Sequence, residues 1–203
     1  MPELLLATAN RGKLEELRLL FAALPFRILS PGEIGLDLEV PETGATYVAN
    51  ARLKATAFAR AGGLLTLADD SGLEVEALAG APGVMSSRYA GPGASDAGRV
   101  DFLLGKLDGL PHAGRRARFR CVMALVTPEG RIRLTSGTCR GFIASAPRGY
   151  RGFGYDPVFF IPRYNKTMAE LPAEIKNRIS HRARAAARMR KILLNMGWVA
   201  EYP

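Results

Sequence analysis

Leu14, Leu17, Leu20, Phe21 and Leu24 recur every three to four residues, and they follow a short apolar run from Glu3 to Thr8 and a polar turn, Ala9-Asn10-Arg11-Gly12. The first spacing is that of an amphipathic helix, and an unbroken apolar run of this length is that of a buried strand. Strand, turn and a helix from Lys13 to Leu24 are therefore predicted. Pro41 to Thr46 is turn chemistry, and the Ala-rich stretch from Tyr47 to Ala61 predicts a second helix stopped by Gly62-Gly63. Leu64 to Ala68 predicts another buried strand, with Asp69-Asp70-Ser71-Gly72 at its carboxyl end.

The Gly- and Pro-rich stretch from Gly80 to Gly93 predicts irregular structure, and Ser95 is placed to cap a helix running to about Leu107. Ala117 to Thr127 and Arg131 to Ile143 flank Pro128-Glu129-Gly130, which predicts a hairpin whose simplest register sets Cys121 and Cys139 nearly opposite. Arg148 to Asp156 is a glycine-rich loop, and Val158 to Ile161 predicts a short buried strand. Ser180 opens the last helix, striped by Ala186, Met189, Leu193 and Met196 and ended by Gly197. Alternating strands and helices followed by a hairpin predict an α/β fold with a mixed sheet. No repeat or linker divides the chain, so residues 1–203 are expected to form one domain.

Composition narrows the class. Nearly half of the 203 residues are apolar, 48%, which excludes a disordered chain. No stretch approaches the roughly 20 uninterrupted apolar residues of a bilayer span, and no secretory signal is readable at Met1-Pro2-Glu3-Leu4. A cytoplasmic location is expected, with Cys121 and Cys139 as reduced core thiols. The net charge is +9, and it is concentrated: between Arg148 and Lys191 stand eleven Lys or Arg against three acids. Such a segment either is a solvated basic face or attracts a polyanion, whether nucleic acid, membrane headgroup or nucleotide.

Five places carry candidate chemistry. Thr8-Ala9-Asn10-Arg11-Gly12-Lys13 joins a buried strand to a helix N-terminus, where backbone N–H groups and the helix dipole favour an anion and Lys13 adds a full charge. It is not a Walker loop: the first glycine is missing, and Leu14 stands where Ser or Thr would be. Asp69-Asp70 puts two carboxylates straight after a buried strand, as an Asx turn or as hard oxygen ligands for magnesium, with Glu42 the nearest third carboxylate. Asn50 and Lys54 share one face of an Ala-rich helix, either lining a cleft or facing solvent. Gly152-Phe153-Gly154-Tyr155-Asp156-Pro157 sets aromatic rings between glycines, as base-stacking surfaces require. Ser180-His181-Arg182 places a His and an Arg at a helix start, where cations are disfavoured without an anion or polar ligand nearby. His112, without such context, reads as a surface loop residue.

In this order, these pieces resemble the inosine/xanthosine triphosphate pyrophosphatase family. The resemblance runs from Leu6 to Arg182. It rests on Ala7 to Lys13, Glu42-Thr43-Gly44, Asn50-Ala51 with Lys54-Ala55, Ala68 to Leu73, Gly80 to Val84, Ser87 to Gly91, Gly152 to Pro157 and Ser180 to Arg182. It implies a homodimer whose subunit is a two-lobed α/β protein with a long mixed central sheet, flanking helices and a deep substrate cleft. It also implies magnesium-dependent hydrolysis of dITP, ITP or XTP to monophosphate and pyrophosphate. By this resemblance Asp70 is general base and magnesium ligand, Glu42 the second ligand, and Asp69 supports them, with Asn50 and Lys54 nearby. Thr8, Ala9, Asn10, Arg11, Gly12 and Lys13 bind the triphosphate. Ser71, Phe153, Gly154, Tyr155, Asp156, Lys176, His181 and Arg182 form the nucleoside pocket.

Two other readings compete. A nucleotide pyrophosphatase of the septum-formation-inhibitor type shares the early phosphate-binding turn in outline but not the Gly152 to Pro157 or Ser180 to Arg182 motifs. A nucleic-acid-binding module accounts for the basic segment but leaves Asp69-Asp70 without a purpose, so no nucleic-acid partner and no membrane partner is expected.

Overall fold

A computed structural model describes residues 1–196. Its seven strands are β1 (Glu3–Leu6), β2 (Arg27–Leu29), β3 (Thr66–Val75), β4 (Arg116–Val126), β5 (Ile132–Ile143), β6 (Phe159–Ile161) and β7 (Lys166–Thr167), in the sheet order β2-β1-β3-β4-β5-β6-β7. The sheet is mixed: β1 runs parallel to β2 and β3, whereas β6 is antiparallel to β5 and β7. Five helices accompany it: α1 (Arg11–Phe21), α2 (Tyr47–Gly62), α3 (Asp96–Lys106), α4 (Ala173–Ile179) and α5 (His181–Asn195). The α/β class read from the hydrophobic pattern holds. Among the described residues no helix is long and apolar enough to cross a membrane.

The chain divides into two compact units. One comprises residues 1–70, 121–137 and those from 182 onward; the other comprises 71–120 and 138–181. The core of the first is built by Leu4 and Leu6 of β1, Leu17 and Phe21 of α1, Leu67 of β3, Met123 and Leu125 of β4, and Ala186, Met189 and Leu193 of α5. The predicted stripe on α5 is thus its buried face, with Met196 packed at the margin; the predicted stop at Gly197 lies outside the described residues. The core of the second unit gathers Leu73 and Val75 of β3, Val100 and Leu103 of α3, Phe119, Ile143 and Phe159.

Helix ends follow their sequence signals. Asn10, Thr46 and Ser95 each accept a hydrogen bond from a first-turn N–H of α1, α2 and α3, and Gly63 ends α2 in the left-handed conformation. Helix α2 buries Ala51, Ala55 and Ala59, each at most 1% exposed. Small side chains one turn apart let that face approach its surroundings closely.

Four expectations need correction. Helix α1 runs from Arg11 to Phe21 rather than from Lys13 to Leu24, and it starts early because Asn10, inside the predicted turn, supplies the cap. Strand β3 does not stop at Ala68 but runs ten residues to Val75, so Asp69-Asp70-Ser71-Gly72 is strand, not turn. Within the Gly- and Pro-rich stretch, Gly83–Arg88 forms a 3-10 helix. At the two ends of the hairpin Thr127 N–H donates to Arg131 C=O, and Ile143 N–H to Arg115 C=O. That shared register places Cys121 across from Gly137 and Cys139 across from Phe119. Both thiols are free and buried.

Candidate active site

In the first unit, β1 ends at Leu6 while its parallel neighbour β3 continues; just past the end of β1, Ala7 N–H donates to Leu67 C=O at 2.8 Å. Beyond that point the chain of β1 turns through Thr8, Ala9 and Asn10 into α1. Thr8 Oγ1 accepts from Asn10 N–H at 3.2 Å, and Asn10 Oδ1 accepts from Lys13 N–H at 2.9 Å. The turn is therefore stiffened by its own polar side chains, and one first-turn donor is spent on the cap rather than offered to a ligand. The side chain of Arg11 is exposed and pairs with Glu15.

Successive residues of a strand point to opposite faces, so Asp69 and Asp70 have separate surroundings although they are adjacent. Asp69 is 1% exposed and ringed by cations: Lys13 Nζ lies 3.3 Å from Oδ1, and the Nη2 and Nε of Arg182 lie 3.1 and 3.3 Å from Oδ2. Burial alone would raise its pKa, but Lys13, Arg182 and Lys54 outweigh burial and hold the carboxyl well below the usual range. Asp70 goes the other way. Burial pushes its pKa up and the nearby Glu42 carboxylate adds repulsion, against the pull of Lys54, Lys13 and Asn50.

Helix α2 carries the other half of this arrangement. Asn50, fully buried, accepts from Gly44 N–H at 2.7 Å and donates through Nδ2 to Asp70 Oδ2 at 3.0 Å. A Cβ on residue 44 would stand 2.6 Å from Asn50 Oδ1 and 2.7 Å from Ala49 Cβ, so only glycine permits this contact. One turn on, Lys54 Nζ reaches Glu42 at 2.5 Å and the Asp69 carbonyl at 2.7 Å. Asn50 and Lys54 thus face inward, toward the carboxylates, rather than toward solvent.

Glu42 and Asp70 suit a divalent cation: both are hard oxygen donors, and the Glu42 charge disfavours ionisation of Asp70, a repulsion that a cation relieves. Among the described residues no three His, Cys, Asp or Glu side chains form a complete metal cage. Magnesium needs no such cage, since it keeps several waters and takes substrate phosphate oxygens.

Ser180 is followed by α5, and Arg182 sits in its first turn. The anions that make a cation tolerable there are Asp69 and Glu16, the latter 2.5 Å from Arg182 Nη1. With its side chain 2% exposed and its guanidinium divided between two carboxylates, Arg182 is built into the first unit. Glu16 escaped the sequence reading. Its signal was the spacing Lys13-x-x-Glu16, which puts both charges on one face of α1.

In the second unit the loop from Gly152 to Pro157 is cross-braced. Asp156 Oδ2 accepts from Phe153 N–H at 3.0 Å and pairs with Lys176 of α4, and Lys176 Nζ lies 5.1 Å from the centroid of the Phe153 ring. Tyr155 is buried and donates its hydroxyl to Ser86 C=O at 3.0 Å. Burial pushes its phenol pKa up, which keeps it a neutral donor. His181 is 5% exposed and stacks on Phe119 with centroids 4.6 Å apart. Ser71, in β3, is half-buried. His112 is exposed, as expected, and stacks on Phe142 at 4.6 Å.

A mixed seven-stranded sheet whose strand β3 carries two buried carboxylates, held by side chains of α1, α2 and α5, defines the α/β class of this protein. The chain belongs to the Ham1 family, whose pattern matches residues 4–192. It is 48% identical to a dITP/XTP pyrophosphatase of Desulforamulus reducens over 94% of this chain and 95% of that one. It is 42% identical to the dITP/XTP pyrophosphatase of Bacillus subtilis over 95% and 98%. Among solved structures it is similar to a HAM1 protein from Coxiella burnetii, with TM-score 0.86, 42% identity and 96% and 99% of the two chains covered. The Staphylococcus aureus Ham1 protein gives TM-score 0.84 at 41% identity, with 95% and 98% covered.

Proposed function

We propose that this chain is a nucleoside triphosphate pyrophosphatase that hydrolyses dITP, ITP or XTP to the monophosphate and pyrophosphate, clearing non-standard purines from the nucleotide pool. The observation that carries this reading is the splitting of two adjacent carboxylates by their surroundings: Asp69 held ionised among Lys13 and Arg182, Asp70 pushed up by burial beside Glu42. Neighbouring acids with separated pKa values are the mark of divided labour in a site. The names of relatives over nearly the whole chain support the substrate class.

Asp70, anchored through Oδ2 by Asn50, orients the attacking water and takes its proton. Lys13 exchanges part of its contact with Asp69 for a phosphate oxygen, and Thr8 to Gly12 supply the polar turn around it. Asp69 keeps the Lys13 ammonium at the start of α1 in the meantime. Asp70 and Glu42 would hold magnesium, which supplies charge neutralisation on the phosphates and polarises water. Lys54 offsets the charge of Glu42 and fixes the backbone of Asp69.

For the nucleoside, Phe153 offers a stacking face, and Lys176, braced by Asp156, offers a donor to the oxygen at C6 of hypoxanthine or xanthine, where adenine carries an amino group. Gly154, Tyr155, Ser71 and His181 complete the pocket. Arg182 enters through Asp69, as its buried counter-charge. A homodimer in the cytoplasm belongs to the same reading, and sedimentation equilibrium of the purified protein tests the dimer.

The deciding experiment incubates the purified protein and magnesium with a panel of nucleoside triphosphates and separates the phosphate products. Pyrophosphate and monophosphate from ITP, dITP and XTP, with little from ATP, are expected. Diphosphate and orthophosphate would contradict attack at the α-phosphorus.

A further inference from the structure

The aromatic loop has no regular secondary structure, and its glycines at 152 and 154 have positive φ of 78° and 62°. Its shape therefore depends on what its backbone donors find. Phe153 N–H is taken by Asp156, within the loop itself. The next donor, Gly154 N–H, is taken from outside: it gives a 2.6 Å hydrogen bond to Asp96 Oδ2, 58 residues earlier in the chain.

Asp96 is the first residue of α3, just after the Ser95 cap. An acid there needs no further purpose, since it favours the positive end of the helix. An acid serving only that purpose would turn toward the N–H groups of its own first turn. Here Ser95 Oγ serves Gly98 N–H at 3.1 Å, and the Asp96 carboxylate reaches away from the helix to Gly154. Its other oxygen is fixed by Arg99, one turn on. Arg99 is anchored in turn: its Nη1 donates to the carbonyls of Ser87, at 3.0 Å, and Ala94. The neighbouring carbonyl, that of Ser86, receives the Tyr155 hydroxyl. Two consecutive loop residues, Gly154 and Tyr155, are thus tied to the α3 N-terminus and the Gly83–Arg88 segment, directly after Phe153.

We infer that Asp96, oriented by Arg99, is a positioning residue for base recognition: by holding Gly154 N–H it fixes where the Phe153 ring stands. The inference rests on the reading of this loop as the nucleoside pocket. Asp96 touches no reacting atom, so its effect belongs in substrate affinity and base preference rather than in the chemical step.

The test compares Asp96→Ala, Asp96→Asn and Phe153→Ala with the parent enzyme, measuring KM and kcat for ITP and ATP, inhibition by inorganic tripolyphosphate, and Tm. A carboxylate hydrogen bond to a backbone N–H is among the stronger kind, so Asp96→Ala is expected to raise KM for ITP about tenfold with kcat little changed. The ITP-over-ATP preference narrows with it. Inhibition by tripolyphosphate, which carries no base, stays as in the parent. Asp96→Asn falls between, because one carbonyl oxygen and an amide cannot serve both Gly154 and Arg99. An unchanged ITP KM in Asp96→Ala overturns the inference if Phe153→Ala raises it. If Phe153→Ala leaves the ITP KM unchanged, the pocket reading itself fails and takes the inference with it. Equal loss of ITP and tripolyphosphate affinity assigns Asp96 to general stability and also overturns it. Should Asp96→Ala not fold, Asp96→Asn is judged by the same two ratios.

Discussion

Asp69 and Asp70 have the same side chain and opposite fates, and the difference lies in what the fold brings to each. Replacing Asp70 with Asn keeps volume and the Asn50 contact while removing the carboxylate proposed as the base, so turnover is expected to fall on the order of 10²-fold or more with Tm nearly unchanged. Pyrophosphate release with ITP, alongside a thermal melt, checks both halves. Arg182→Ala is a different kind of lesion. It leaves the fully buried Asp69 carboxylate with Lys13 but without its guanidinium contacts and takes a cation from Glu16, which is expected to destabilise the protein by about 3 kcal/mol. Urea unfolding measures that loss, and ITP and ATP turnover should decline together. Residue types at these positions were readable from the sequence, because Asp-Asp and His-Arg are unusual where they stand. Partners were not: nothing in the order of letters ties Arg182 to Glu16, 166 positions away, or Asp96 to Gly154.

Helices with strong caps were readable to within a residue or three, since Asn10, Thr46, Gly63 and Ser95 act on their immediate neighbours. Strand β3 was cut short because two adjacent carboxylates look like a turn until Lys13, Arg182, Asn50 and Lys54 are seen to satisfy them. Short β2, β7 and α4 carry too few residues for any period to show. On α2, the buried Ala51-Ala55-Ala59 face leaves no room for a larger side chain. Ala55→Leu is expected to lower stability by about 1–3 kcal/mol, read by thermal or urea unfolding. A second element-scale device is Glu33, in the 3-10 turn Pro31–Ile34. Its carboxylate accepts from Ser30 N–H at 2.7 Å, Ser30 Oγ–H at 2.8 Å and Arg18 Nη2 at 2.6 Å, which lowers its pKa from 4.5 to about 2. A carboxyl depressed in the folded state stabilises above its unfolded pKa and loses that effect as pH falls through its folded one. Glu33→Gln should therefore melt below the parent at neutral pH, with the gap closing between pH 4.5 and about 2.

At the scale of the molecule, the α/β class was legible because the apolar runs and periods that define it are local. The division into two units was not, because each unit is assembled from separated stretches: three for the first, two for the second. Strands β3, β4 and β5 each contribute residues to both units, so neither can be excised as one piece of chain. A protein ending at Ser180 lacks Arg182 and the buried face of α5. It is expected to lose the cooperative unfolding transition of the parent in a thermal melt.

The same connectivity sets an order in time. During synthesis β1 and α1 are made well before α5, yet the core they share with Met189 and Leu193 closes only when α5 has been made. Asp69 waits for Arg182 over the same interval. The cluster around Asp69 therefore acquires the Arg182 part of its charge balance only once α5 has been made.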